Sequence, residues 1–199
     1  DNMFPHHENE IAQSECATGK LFVKYWMHNA WLLVDGKKMS KSANNFYTLR
    51  DVTEHGYSPL VFRYLTMLTH YRTPLNFTWE SLEASNQAIK RLLTAFRALP
   101  EVNSGSINTK YQTEFHEAIN EDLNIPKALG IVWKMLGDAS ILDTDIKVTL
   151  LDFDQVLGLG LIDIKEEIIP VEIQILISER NIARTNKDWQ KSDQIRDTL

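Results

Sequence analysis

The sequence predicts an α/β segment followed by an all-α region. Apolar and aromatic residues crowd Val23 to Leu33 in strand-like density, and the Asp35-Gly36 turn signal follows. Beyond Trp79, apolar residues recur at a helical period of about 3.6. The composition is that of a folded chain, with 199 residues, 43% hydrophobic and 24% charged. That length suffices to bury roughly 70% of the unfolded surface.

The elements follow in order. Phe4-Pro5 opens a helix, which runs from His6 to Ala17 and stops at Gly19. The strand-like run Val23 to Leu33 leads into the turn Val34 to Lys37, and Lys38 to Tyr47 is a polar loop. Leu49 to Glu54 and Pro59 to Thr69 are helices, the second with Leu60, Tyr64, Leu65 and Leu68 on one face. Pro74 interrupts the pattern between Tyr71 and Trp79, and the domain boundary is placed there. Ser81 to Leu99 is a long amphipathic helix carrying Leu82, Ala88, Leu92, Leu93 and Phe96. After a loop from Pro100 to Asn108 come helices at Tyr111 to Asn120, Pro126 to Leu136, Ile146 to Leu157, Val171 to Thr185 and Asp188 to Leu199.

Charge and cysteine content narrow the function classes. The net charge is −6 and uneven: residues 1–79 carry 8 Lys/Arg against 7 Asp/Glu, and residues 80–199 carry 13 against 20. Nucleic-acid contact, if made, is local rather than bulk electrostatics. The single cysteine, Cys16, excludes an internal disulfide framework and fits a reducing compartment; it is expected to be an inert core thiol. No apolar run reaches the roughly 20 residues of a membrane span, and no charged-then-apolar leader is read at the start. A start at Asp1 and a stop within a helical pattern at Leu199 suggest a piece of a longer protein.

Two residue constellations carry chemistry. In His6-His7-Glu8-Asn9-Glu10, His6 and Glu10 stand four apart and share a helix face. One imidazole and one carboxylate can supply half of a tetrahedral zinc site; they equally suit a helix N-terminus with carboxylates at its positive end. The zinc-protease pattern is excluded, because position 11 is Ile11. The second constellation is Lys38-Met39-Ser40-Lys41-Ser42, whose two lysines and interleaved hydroxyls on a loop suit a polyphosphate. His28 is read as a pocket-lining or a structural histidine, and His70 as a nucleotide or tRNA contact or a structural one. Trp79, Trp133 and Trp189 read as packing residues rather than base-stacking platforms.

The string from Lys38 to Ser42 is the signature loop of class I aminoacyl-tRNA synthetases. Together with Phe4 through Ser14 and Tyr25-Trp26-Met27-His28, it resembles the cysteinyl-tRNA synthetase family. The resemblance continues through Arg63-Tyr64-Leu65, His70 to Asn76, Asp122 to Leu129, Glu179 to Arg184, Lys187 to Trp189 and Asp193 to Asp197.

The resemblance implies a C-terminal fragment: the tail end of a Rossmann-like class I catalytic domain over 1–75, then an incomplete helical-bundle tRNA/anticodon-binding domain over 76–199. It implies ATP-dependent activation of cysteine and its transfer to the 3′ end of tRNA(Cys) by a cytoplasmic monomer. Mg²⁺ accompanies the ATP. Zn²⁺ is held by His6 and Glu10 together with two cysteines lying upstream. Lys41 maps to the ATP-binding lysine and Lys38 is a secondary candidate or a structural residue of the loop, with Met39, Ser40 and Ser42 completing the ATP-binding loop. Because the helical part is acidic, tRNA contacts are placed on local basic spots: Arg180, Arg184, Lys187 and Lys191 are candidates, and equally read as a solvated helix face. The first-half nucleotide-binding motif is absent, so the chain alone is expected to be inactive. Ala43-Asn44-Asn45 stands where the family usually has Gly before Asn, and a left-handed Asn is expected to preserve the turn. The rivals are a ligase that passes cysteine to an amino sugar, and a non-catalytic binding protein on the same scaffold.

Overall fold

The structure is a computed structural model. It describes residues 3–40, 42–43, 45–101, 104–163 and 171–198. The chain forms two compact units, Asp1–Ile162 and Asp163–Leu199.

The first unit opens with a short π-turn, Met3–His7, in which Phe4 is extended, and continues as α1 (Glu8–Thr18). Gly19 ends α1 in the left-handed region and donates its N–H to the Glu15 carbonyl at 2.8 Å, as the stop signal predicts. None of the α1 residues is buried, and Cys16 is exposed, which corrects its reading as a core thiol.

The expected strand over Val23 to Leu33 is also corrected: only β1 (Leu32–Val34) forms. Apolar density alone does not make a strand, because the backbone must find a partner. Pairing begins at Leu32, where β1 meets β2 (Lys37–Lys38) across the Asp35-Gly36 turn and β3 (Leu75–Phe77) on its other side. Asp35 and Gly36 both have positive φ, the conformation a tight two-residue hairpin requires. The β1–β2 pair is antiparallel and the β1–β3 pair parallel, in the order β2-β1-β3.

A parallel pair needs a crossover. Here it runs through residues 39–74 and holds the signature loop, α2 (Leu49–Glu54) and α3 (Pro59–Met67). Thr48 and Asp51 form a reciprocal cap on α2, and Ser58 caps α3 with Pro59 in its first turn. On α3 the core face is Val61, Tyr64, Leu65 and Met67, whereas Leu60 and Leu68 are exposed, so the expected face is rotated.

A helical region follows the sheet. It comprises α4 (Trp79–Ala98), α5 (Thr109–Asn120), α6 (Ile125–Leu136) and α7 (Asp143–Leu157). Several begin one to three residues earlier than the apolar pattern predicts, because polar residues fill the first turn. The α4 cap is Thr78, which accepts from the Ser81 N–H at 3.0 Å. Leu82, Ile89, Leu92 and Phe96 of α4 are buried, as are Phe115 and Phe153, whose rings stack 4.0 Å apart between α5 and α7. Trp133 donates its indole N–H to Tyr64 at 3.1 Å, tying α6 to α3. Arg63 donates to the Leu157 carbonyl at 2.7 Å, satisfying the end of α7, where Gly158 turns left-handed. Gly158 has φ 60, which favours glycine, and a Cβ there would lie 2.9 Å from the Arg63 guanidinium, which would have to shift. The Arg63-Tyr64-Leu65 motif is therefore a packing motif.

The second unit is a helical hairpin of α8 (Val171–Thr185) and α9 (Trp189–Thr198). Lys187, at φ 57, makes the connection, and Asp188 caps α9 by accepting from the Lys191 N–H. Trp189, expected to pack, is 59% exposed.

One titratable pair ties α5 to the α6–α7 connection. Tyr111 donates to Asp138 at 2.8 Å. Bonds from the Ser140 hydroxyl and N–H, and then from Tyr111, hold Asp138 down to about 2. Burial, and then the Asp138 bond, push Tyr111 up to about 12. A depressed carboxylate contributes stability that is present above its unfolded value and lost as pH falls through the folded one. Asp138→Asn is expected to flatten the loss of stability between about pH 4 and about pH 2, read as the urea midpoint against pH. An unchanged acid limb would remove Asp138 from the acid response.

Candidate active site

The site builds outward from the start of β1. The π-turn and the segment before β1 bring three rings together. His7 and Trp26 stack with centroids 4.5 Å apart, and His7 and His28 with centroids 4.9 Å apart. The His28 Nε2 and His7 Nδ1 atoms lie 2.9 Å apart, so one of them carries the shared proton. These rings border a cleft of about 330 Å³, lined by His7, Met27, His28, Asn29, Ala30, Trp31 and Leu32. His28 is thus a pocket-lining residue. His7, which the sequence pattern points away from His6 and Glu10, is the second wall residue.

His6 and Glu10 flank this cleft in sequence, in the π-turn and the first turn of α1, and both are exposed. As nitrogen and oxygen donors they are of the kind zinc takes, but they number two where a closed tetrahedral site needs four. Among the described residues no cluster of three or more His, Cys, Asp or Glu is placed to hold a metal. The residues present supply half a donor set and do not complete a site.

The signature loop leaves β2 at Lys38. The Lys38 ammonium sits 5.3 Å above the ring of Trp31, the residue just before β1, a cation–π contact that ties the loop's first cation to the cleft wall. Met39 reaches into an apolar cavity of about 190 Å³, formed with Leu32, Tyr47, Thr48, Leu49, Val52, Phe62 and Phe77. Ser40 and Ser42 place their hydroxyls 3.3 Å apart, and Ser40 accepts from the Ala43 N–H. Lys41 and Asn44 lie outside the described residues. Ala43 has no left-handed backbone, for the non-glycine residues of positive φ among those described are Asp35, Asp122, Leu123 and Lys187. The departure from glycine at position 43 is therefore accommodated without strain at Ala43 itself.

One residue closes the loop on itself. The Asn45 side chain accepts from the Ser40 N–H at 2.9 Å and donates to the Lys38 carbonyl at 3.2 Å. It thus bridges two backbone groups at the base of the loop, just past β2. Its signal in the sequence is a short amide a few residues past the lysines, the side chain best suited to bridging backbone groups locally. Behind it Tyr47, His55, Phe77 and Trp79 form an aromatic cluster, with His55 stacked on Trp79 at 4.0 Å and Tyr47 edge-on at 5.3 Å. Trp79 and Trp133 are packing residues, as expected.

His70 is structural: its Nε2 lies 2.9 Å from the Asp122 carbonyl, to which it donates. Arg180, Arg184, Lys187 and Lys191 all fall in the second unit, on α8, its connection and α9; Arg184, Lys187 and Lys191 are exposed, and the Arg180 Nε is buried. Asn45→Ala is expected to raise the hydrogen-exchange rate of the Ser40 amide by about tenfold or more while leaving that of Val52 in α2 unchanged. Equal rates in variant and parent would show that Asn45 does not hold the loop.

Comparisons with known proteins show what the chain is similar to. Residues 1–87 match the family described as "tRNA synthetases class I (C) catalytic domain". The whole chain aligns with the cysteine–tRNA ligase of Protochlamydia amoebophila (strain UWE25) at 40% identity over 216 residues, covering 45% of that protein. It aligns with cysteine–tRNA ligase 1 of Burkholderia lata at 39% over 202 residues, covering 42%, and with the Shewanella denitrificans cysteine–tRNA ligase at 40% over 215 residues, covering 46%. The chain therefore spans somewhat under half the length of the curated relatives it matches. The family match corrects one expectation: catalytic-domain sequence, with both constellations, occupies the N-terminal part of this chain as far as Gln87 in α4, so the chain is not a C-terminal fragment. Along its whole length the chain is homologous to part of the cysteine–tRNA ligases, and its first 87 residues match the class I (C) synthetase catalytic domain.

Proposed function

We propose that this chain supplies part of the machinery that activates cysteine with ATP and passes it to the 3′ end of tRNA(Cys). The observation that supports the reading most directly is the whole-chain likeness to cysteine–tRNA ligases, joined to a signature loop anchored beside the His7–His28 cleft. In the activation step the cysteine carboxylate attacks the α-phosphorus of ATP, and the bond to pyrophosphate breaks. Negative charge grows on the departing pyrophosphate. Lys41 and secondarily Lys38 stabilise it, with Met39, Ser40 and Ser42 shaping the loop and Mg²⁺ accompanying the phosphates. The lysines act as fixed positive charge and move no proton.

The cysteine is placed in the cleft bordered by His7 and His28. His6 and Glu10 are this chain's share of a zinc donor set. A metal completed there would bind the substrate thiolate and disfavour a hydroxyl. The helical part, residues 76–199, is read as tRNA-binding, with Arg180, Arg184, Lys187 and Lys191 as local basic contacts on an acidic background. The protein acts as a monomer in this reading.

The test uses a chimera in which this chain replaces the matching segment of the Protochlamydia amoebophila ligase. Lys41→Ala is expected to lower cysteine-dependent ATP–pyrophosphate exchange by about 10²-fold or more, with an unaltered melting temperature. An exchange rate within about twofold of the parent would contradict the role of the loop.

A further inference from the structure

Two motifs that stand 50 residues apart in the sequence meet in space, and nothing in the activation chemistry uses them. One is His70-Tyr71-Arg72, which precedes β3; the other is Asp122-Leu123-Asn124, which joins α5 to α6. Tyr71 donates its hydroxyl to Asp122 Oδ1 at 2.6 Å. Arg72 Nε lies 2.8 Å from Asp122 Oδ2 and also donates to the Tyr71 oxygen at 2.9 Å. His70 donates from Nε2 to the Asp122 backbone carbonyl at 2.9 Å, and its Nδ1 lies 3.4 Å from the Arg72 backbone nitrogen.

Asp122 and Leu123 both have φ 54. Two consecutive non-glycine residues in the left-handed region are strained, least so for Asp, and persist only where the surroundings over-determine them. The over-determination here comes from both sides. The Leu123 and Asn124 amides close back onto Ile119 and Ala118, and the Asp122 carboxylate and carbonyl take three side chains from the 70–72 segment. An isolated exposed Arg–Asp pair would contribute little; this one is the centre of a network.

The network leads to the candidate site by one more bond. The Tyr71 carbonyl accepts the Ala30 N–H at 2.8 Å, and the Trp31 carbonyl accepts the Leu75 N–H at 3.0 Å. Residues 29–32 are the wall of the cleft that His7 and His28 complete. We propose that Asp122 is a positioning residue: by fixing Tyr71 it sets the Ala30 wall of the cysteine cleft, and so couples the α5–α6 turn of the helical region to substrate binding. Asp122 touches no substrate. Substitution is therefore expected to change how well the cleft receives the amino acid rather than the loop chemistry on ATP.

The kinetic test rests on the proposed cysteine-activating reading; a second readout does not. In the chimera described above, Tyr71→Phe and Asp122→Ala are each expected to raise the KM for cysteine about tenfold, with kcat and the KM for ATP within about twofold. The double variant should be no worse than the poorer single one within about twofold, because both break the same link. In the 199-residue chain, both single variants should raise the exchange rate of the Ala30 amide about tenfold and leave that of Asp35, bonded to Phe77, unchanged. Additive effects, a matched fall in kcat and rise in both KM values, or an Ala30 amide as protected as in the parent would overturn the proposal. A chimera unable to activate cysteine at all would count against the functional reading alone, and the Ala30 measurement would still decide this one. Should Asp122→Ala fail to fold, Tyr71→Phe, which leaves the α5–α6 turn intact, carries the test.

Discussion

The parallel pairing of β1 with β3 is the constraint on which the front of the molecule depends. Three residue pairs, Leu32 with Leu75, Leu33 with Asn76 and Val34 with Phe77, join segments some 40 residues apart. A parallel pair cannot be closed by a short hairpin. The chain must leave the sheet and return, and the signature loop, α2 and α3 are what it carries on the way. The loop is thereby pinned at both ends, by β2 behind it and by the α2 cap ahead of it. Extension of the same pairing beyond the strands, through Ala30 to Tyr71 and Trp31 to Leu75, aligns the cleft wall with the 70–75 segment. The sheet is small, yet the cleft, the loop and the entry into the helical region are all fixed relative to it.

Within that frame the loop is held by side chains rather than by ladder bonds. Asn45 bridges the Ser40 amide and the Lys38 carbonyl, Lys38 lies over Trp31, and Met39 enters an apolar cavity beneath. These attachments are local and hold the base of the loop, and the Ser40 and Ser42 hydroxyls lie 3.3 Å apart.

Much of this was legible in the sequence, and the limits have physical causes. The helical region was readable because its apolar period is strong and its caps are chemically plain: Gly19 stops α1, Pro59 opens α3, and Leu82, Leu92 and Phe96 mark the buried face of α4. The string Lys38 to Ser42 and the run His6 to Glu10 stand out because their residue types are rarely juxtaposed, and their roles are part of the proposal. The apolar run Val23 to Leu33 is strand only in its last two residues, since local composition does not reveal how far a backbone finds ladder partners. β3 was missed for the converse reason: three residues following a proline carry too little pattern, and their partner lies far away in sequence. Cys16 and Trp189 were assigned to packing on residue type, although both stand exposed. Long-range polar contacts, such as Asp122 with Tyr71 and Arg72 or Asn45 with the loop backbone, have no sequence period. They can be found only once the fold has brought their segments together.

The claim that holds the account together is that this chain belongs to machinery delivering activated cysteine to tRNA. The most direct measurement is the charging of cysteine tRNA by the Protochlamydia amoebophila chimera, supplied with labelled cysteine and ATP. The account predicts acid-precipitable label on the tRNA that mild alkali releases, as an ester at the 3′ end would be. Adenylate formed without any label on tRNA, and cysteine passed instead to an amino sugar, would contradict it.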